Sequence, residues 1–186
     1  MNENAINKLL ELFKNLGYLE NDVKFEFKSA CPALHYCTVK IKINGRTFEA
    51  NGVGRSKTDA KIAAAETLLK ELQNHPELVI NWEEINVDAQ RGDALIKLAV
   101  YLCAEWQSAD DKSKKLQNLE ADSHLVKVFD QWKSNGDRDL AIWGGHLSVK
   151  RKATLVEALL WQRFRMQVMT ANAPTQLESL LKILRS

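Results

Sequence analysis

Gly52-Val53-Gly54-Arg55-Ser56-Lys57-Thr58-Asp59-Ala60-Lys61, followed by Ile62-Ala63-Ala64-Ala65-Glu66-Thr67-Leu68-Leu69, is the stretch whose reading decides the fold of this chain. Its two glycines allow a tight loop that few other residues would trace. Ser56 stands where a helix N-cap belongs, and Asp59, three residues on, completes a pair of the capping-box kind. Lys57 and Lys61 are four apart, which places them on one face of the helix that follows. A helix start carries partial positive charge and unpaired N–H groups, so lysines beside it form a clamp for anions, phosphate among them.

Working outward, Ala5 to Leu16 has apolar residues at helical spacing and ends at Gly17, a C-cap residue. Val23, Phe25 and Phe27 alternate with Lys24, Glu26 and Lys28, the period of a strand with one buried face. Val39, Ile41 and Ile43 repeat that pattern against Lys40 and Lys42. Asn44-Gly45 is a strong hairpin signal, and Arg46 to Ala50 makes a third strand. The order is helix, three antiparallel strands, helix.

That order, together with the Gly52–Lys61 stretch, resembles the double-stranded-RNA-binding domain. The family pattern there is Gly-x-Gly-x-Ser-Lys-Lys-x-Ala-Lys followed by alanines. The chain supplies Gly52, Gly54, Ser56, Lys57, Ala60 and Lys61, while Thr58 stands where the family has a second lysine. The resemblance implies a double-stranded RNA partner and three patches that meet it. Glu11 sits like the glutamate that meets 2′-hydroxyls in one minor groove. The loop Pro32-Ala33-Leu34-His35 is similar to the Pro-x-His loop that enters a second minor groove, with one extra residue. Arg55, Lys57 and Lys61 would hold phosphates across the major groove between them. Such domains span about 16 base pairs and respond to A-form shape rather than to sequence. Some members of the family bind proteins instead, so a protein-interaction module is the alternative.

The totals constrain the rest. A chain of 186 residues has room for two small domains or one medium one. A net charge of +2 does not by itself announce a nucleic-acid binder. Residues 1–73 hold eleven Lys and Arg against nine Asp and Glu, and the remainder balances, so any basic surface comes from placement. Cys31, Cys37 and Cys103 form no CxxC pair and are expected as reduced thiols. His75, His124 and His146 lack ligand spacing, so zinc is not expected. Nucleophile-elbow and Walker-type motifs do not occur, and the tryptophans are expected in cores. Met1-Asn2-Glu3-Asn4 is not a signal pattern and no apolar run approaches membrane length. A soluble intracellular protein, cytoplasmic or nuclear, with no membrane partner is the expectation.

Pro76 breaks the second helix, which divides the chain into a first domain at 1–74, a linker at 75–86 and an all-helical domain at 87–186. The fold class is thus α+β. Ala94 to Trp106, the Leu116–Trp132 region and Ala153 to Val168 have helical apolar spacing. Ser134–Asp137 and Trp143–His146 read as turns, and a last helix starts at Pro174 with Thr175 and Glu178 as its capping pair.

Within this half, Gly92-Asp93-Ala94-Leu95-Ile96-Lys97-Leu98-Ala99-Val100 resembles the signature helix of the ribonuclease III fold. Ala153-Thr154-Leu155-Val156-Glu157-Ala158-Leu159-Leu160 resembles its partner helix. The resemblance implies a magnesium-dependent endoribonuclease in which Asp93 and Glu157 are both the catalytic and the metal-binding residues. It equally implies a homodimer or heterodimer formed through this domain. Only two of four family carboxylates are kept, because Ala89 and Thr154 occupy the other two positions. The mini-ribonuclease III group has those same replacements and still cleaves. Elsewhere the fold persists as an inactive scaffold for dimerisation or ribonucleoprotein assembly, so a non-catalytic RNA-binding protein is the alternative. Magnesium is expected only in the catalytic case. Lys150, Arg151 and Lys152 precede the second motif as candidate phosphate contacts.

Overall fold

The structure is a computed structural model that describes residues 5–31, 34–102, 108–168 and 173–185. Pro32, Ala33, Cys103 and Trp106 lie outside the described residues, as do the side chains of Cys31 and Thr175. The chain divides into two compact units, Met1–Ile80 with Ala141–Leu147, and Asn81–Leu140 with Ser148–Ser186.

The first unit runs α1 (Ala5–Asn15), β1 (Lys24–Cys31), β2 (Leu34–Ile43), β3 (Arg46–Gly54) and α2 (Lys57–Leu72). Its strands form one antiparallel sheet in the order β1-β2-β3. The period-two pattern of β2 puts Cys37, Val39, Ile41 and Ile43 into the core with Leu9 and Phe13 of α1, Phe48 and Ala50 of β3, and Ala64 and Leu68 of α2. The intervening residues make a polar outer face. Lys40 lies between Glu26 and Glu49 at 3.4 and 3.5 Å, and the Thr38 hydroxyl donates to Asn51 Oδ1 at 2.7 Å. Asn44 and Gly45 take φ of 49° and 77°, the left-handed pair that the tight β2–β3 turn requires.

Two local expectations change. The sequence suggests a loop at Gly52 and Gly54, but both belong to β3 and neither has positive φ. Their missing side chains serve a close approach instead: a Cβ on Gly52 would overlap the backbone of Ala60 and Ala64, and one on Gly54 that of Asp59 and Ala60. Small residues on both sides let α2 lie directly on β3. His35, expected in the first hairpin loop, is part of β2, paired with Ser29 on one side and Gly54 on the other. A register shift between Ser29 and Cys31 absorbs an additional residue on β1, so pairing continues past the expected loop boundary.

Ala141–Leu147 belongs to this first unit, although the chain order puts it within 87–186. Gly144 N–H donates to the Leu16 carbonyl at 2.6 Å and His146 N–H to that of Gly17 at 2.9 Å. The Tyr18 hydroxyl donates to the Ile142 carbonyl at 3.2 Å, and Trp143 and Leu147 are buried.

The second unit is helical in its described residues: α3 (Trp82–Leu102), α4 (Ala109–Leu119), α5 (Asp122–Ser134), α6 (Val149–Val168) and α7 (Ala173–Arg185). α3 lies along α6, with α5 against α6 and α7 against both. Ile96, Leu125, Phe129, Val156, Leu160 and Leu180 are buried between them. The 75–86 stretch read as a linker holds a short turn at Pro76–Leu78 and then the first residues of α3. Arg163 ties the 137–139 turn to α6 through Asp137 at 2.8 Å and Asp139 at 2.6 Å, with its guanidinium over the Trp132 ring. Arg151 and Arg91 lie over Trp82 and Trp161 in the same way, so these three rings are covered by arginines of their own unit. Among the described residues no helix is long and apolar enough to cross a membrane.

Candidate functional site

In the first unit the site is built on the start of α2. Ser56 is extended, at φ −127° and ψ 163°, and its Oγ accepts the Asp59 N–H at 3.1 Å. In the reciprocal contact the Ser56 hydroxyl donates to Asp59 Oδ2 at 2.8 Å. This cap satisfies one of the helix's orphan N–H groups and leaves others at its mouth. Arg55 and Lys57 are exposed beside it. Lys61, one turn further, is half-buried, and its Nζ stands 4.2 Å from the centre of the Phe25 ring. That contact anchors the stem and limits where the ammonium reaches.

The pairing of His35 with Gly54 brings the start of β2 to the end of the sheet from which Arg55 and the Ser56 cap lead into α2. Glu11 comes from α1, which packs against α2, and is exposed on the side away from the buried Leu9 and Phe13.

In the second unit a cleft of about 510 Å³ is lined by Asn86, Ala89, Gln90 and Asp93 of α3 and by Lys150, Thr154 and Glu157 of α6. All four positions that the ribonuclease III resemblance singled out therefore share one cleft. Gly92 is the reason the two helices meet at this level: a Cβ there would overlap the backbone of Glu157. The following residue, Asp93, is thus carried to Glu157.

Three further charged groups, which motif comparison does not pick out, complete the electrostatics. Lys97 Nζ is 2.7 Å from Asp93 Oδ2 and 3.9 Å from Glu120 Oε2. Burial raises the Glu157 carboxyl from 4.5 to about 7, helped by the charges of Asp93, Asp122 and Glu120 and opposed by Lys97. The Lys97 ammonium is held above its ordinary value, first by its hydrogen bond to Asp93. Lys97 was legible as an i,i+4 partner of Asp93. Glu120 and Asp122 flank the α4–α5 junction, and no local signal points from there to the cleft. Of the basic run, only Lys150 faces it. Lys152 pairs with Asp130 at 2.8 Å, and Arg151 covers Trp82.

Magnesium demands an octahedral shell of oxygens, usually one or two carboxylates with water and phosphate. The donors present do not fit that demand. Asp93 already holds an ammonium, and burial raises the Glu157 carboxyl, which favours its neutral form. Among the described residues no group of three or more His, Cys, Asp or Glu is disposed to hold a metal ion.

Comparison with known proteins separates the two units. No curated protein and no solved structure matches the chain. The ribonuclease III resemblance of the second half is not confirmed by a family match. Residues 5–72, from the first residue of α1 to the last of α2, match the family model described as double-stranded RNA binding motif, and that match supports a double-stranded-RNA-binding domain over these residues.

Proposed function

We propose that this chain binds double-stranded RNA by shape, through Arg55, Lys57 and Lys61 at the start of α2, His35 in β2 and Glu11 on α1, and that its helical second unit does not cleave the bound duplex. The observation that carries the RNA contact is the capped N-terminus of α2 with two exposed basic residues beside it. Donor N–H groups and positive charge there meet a phosphate without rearrangement. The observation favouring a non-catalytic second unit is the Lys97 ammonium on Asp93. The role left to that unit is pairing with a second copy. Val87, Leu98, Tyr101 and Leu102 are exposed along α3 and are the surface we assign to it.

Titration of a 20-base-pair RNA duplex, with the same DNA duplex alongside, tests the binding. RNA should be preferred, and Lys57→Ala with Lys61→Ala should flatten the salt dependence by about one unit per lysine. Equal salt slopes in wild type and double variant would refute the assignment. No RNA affinity at all would favour the protein-interaction alternative. Light scattering reads the pairing, and Leu98→Glu should return the chain to a monomer.

The cleaving alternative keeps one observation of its own, since Asp93 and Glu157 line the same cleft. Long duplex RNA incubated with Mg²⁺ or Mn²⁺ decides it. Cleavage by wild type that disappears in Asp93→Asn would overturn the non-catalytic reading.

A further inference from the structure

We infer that Lys97 is the built-in counter-cation of the second unit's acidic cleft, competing with divalent metal for Asp93 and Glu120. The inference deepens the non-catalytic reading and rests on it. Carboxylates reach this point from separate places in the chain: Asp93 on α3, Glu120 at the end of α4, Asp122 at the start of α5 and Glu157 on α6. Lys150 also lines the cleft, but the amine ion-paired with these carboxylates among the described residues is that of Lys97. It bonds Asp93 at 2.7 Å and approaches Glu120 at 3.9 Å. Glu120 Oε2 is buried and accepts no hydrogen bond among the described residues, so Lys97 is the cation that offsets its charge.

A tethered ammonium has two advantages over a free ion. It loses no translational freedom on arriving, and it needs no stripping of the tight shell of water that magnesium gives up reluctantly. It also occupies the Asp93 oxygen that a metal would take. Removing it leaves Asp93 and Glu120 without their ion-pair partner, and like charges this close raise affinity for any cation that relieves them.

The test is Mn²⁺ binding, read as loss of the free-ion electron paramagnetic resonance signal, with the full chain and no RNA. The variants are Lys97→Met and Lys97→Gln. The Lys97 side chain is 47% exposed, so neither substitution opens the core. Removing a unit charge a few ångström from the donors should tighten Mn²⁺ binding by roughly tenfold to a hundredfold. Adding Asp93→Asn to Lys97→Met should abolish the gain. Equal affinity in wild type and both variants overturns the inference, and so does a gain that survives Asp93→Asn. The measurement involves no RNA, so its failure is distinct from a failure of duplex binding or from the appearance of cleavage.

Discussion

Replacing Glu157 by glutamine separates the charge of this residue from its shape. The carboxyl is raised from 4.5 to about 7 in the folded chain, chiefly by burial and next by Asp93. Below the lower value both folded and unfolded states hold the proton, and the group has no effect on stability. As pH rises through the interval, the unfolded chain loses its proton first, so the folded state binds more protons and stability falls. Above about 7 the whole cost is present. At about 1.4 kcal/mol per pH unit the interval corresponds to about 3 kcal/mol, and partial exposure with solvent screening reduces that to about 1.5 kcal/mol. Native-state hydrogen exchange of the α6 amides, corrected for intrinsic rates at each pH, reads the second unit by itself. Glu157→Gln should gain about tenfold protection over wild type at pH 8.5, and the gain should shrink toward pH 5. Parallel profiles for the two proteins from pH 5 to 8.5 would refute the reasoning, because they would mean that ionisation of this carboxyl costs the fold nothing.

Other substitutions test other links. Ser56→Ala removes the cap of α2 and should lower the stability of the first unit by about 1 kcal/mol, seen in thermal unfolding. Gly92→Ala is diagnostic by its sign. Helix propensity alone would stabilise α3 by about 1 kcal/mol, whereas overlap with the Glu157 backbone should destabilise the unit by several times that amount. Arg163→Met removes both ion pairs of the 137–139 turn and should cost about 2 kcal/mol in the same exchange measurement.

Much of the first unit follows from neighbours in the chain. The alternation in β2, the Asn44-Gly45 turn, the Gly17 stop and the Ser56 cap each depend on residues within a few positions, and all appear where local spacing puts them. The extent of the strands does not follow in this way. His35 pairs because Gly54 and Ser29 offer backbone groups on both sides, a fact about two other strands. The glycine pair at 52 and 54 shows the same limit. Its presence is plain, but whether a missing side chain serves a turn or a close contact depends on what lies opposite, and that is the backbone of α2.

By itself the sequence determined the order of elements in the first unit, the buried face of β2 and the basic residues at the start of α2, because hydrophobic period, capping and turn chemistry act over a few residues. Phe27 of β1 and Leu98 and Leu102 of α3, which fit the same apolar spacing, are exposed. It also marked Asp93 and Glu157 as a pair. Only the tertiary structure decided that Ala141–Leu147 folds with the first unit and that the charges of Glu120, Asp122 and Lys97 act on the pair. Backbone hydrogen bonds from a loop to Gly17, and charge acting through space between helix ends, depend on distance in the fold and leave no pattern along the chain.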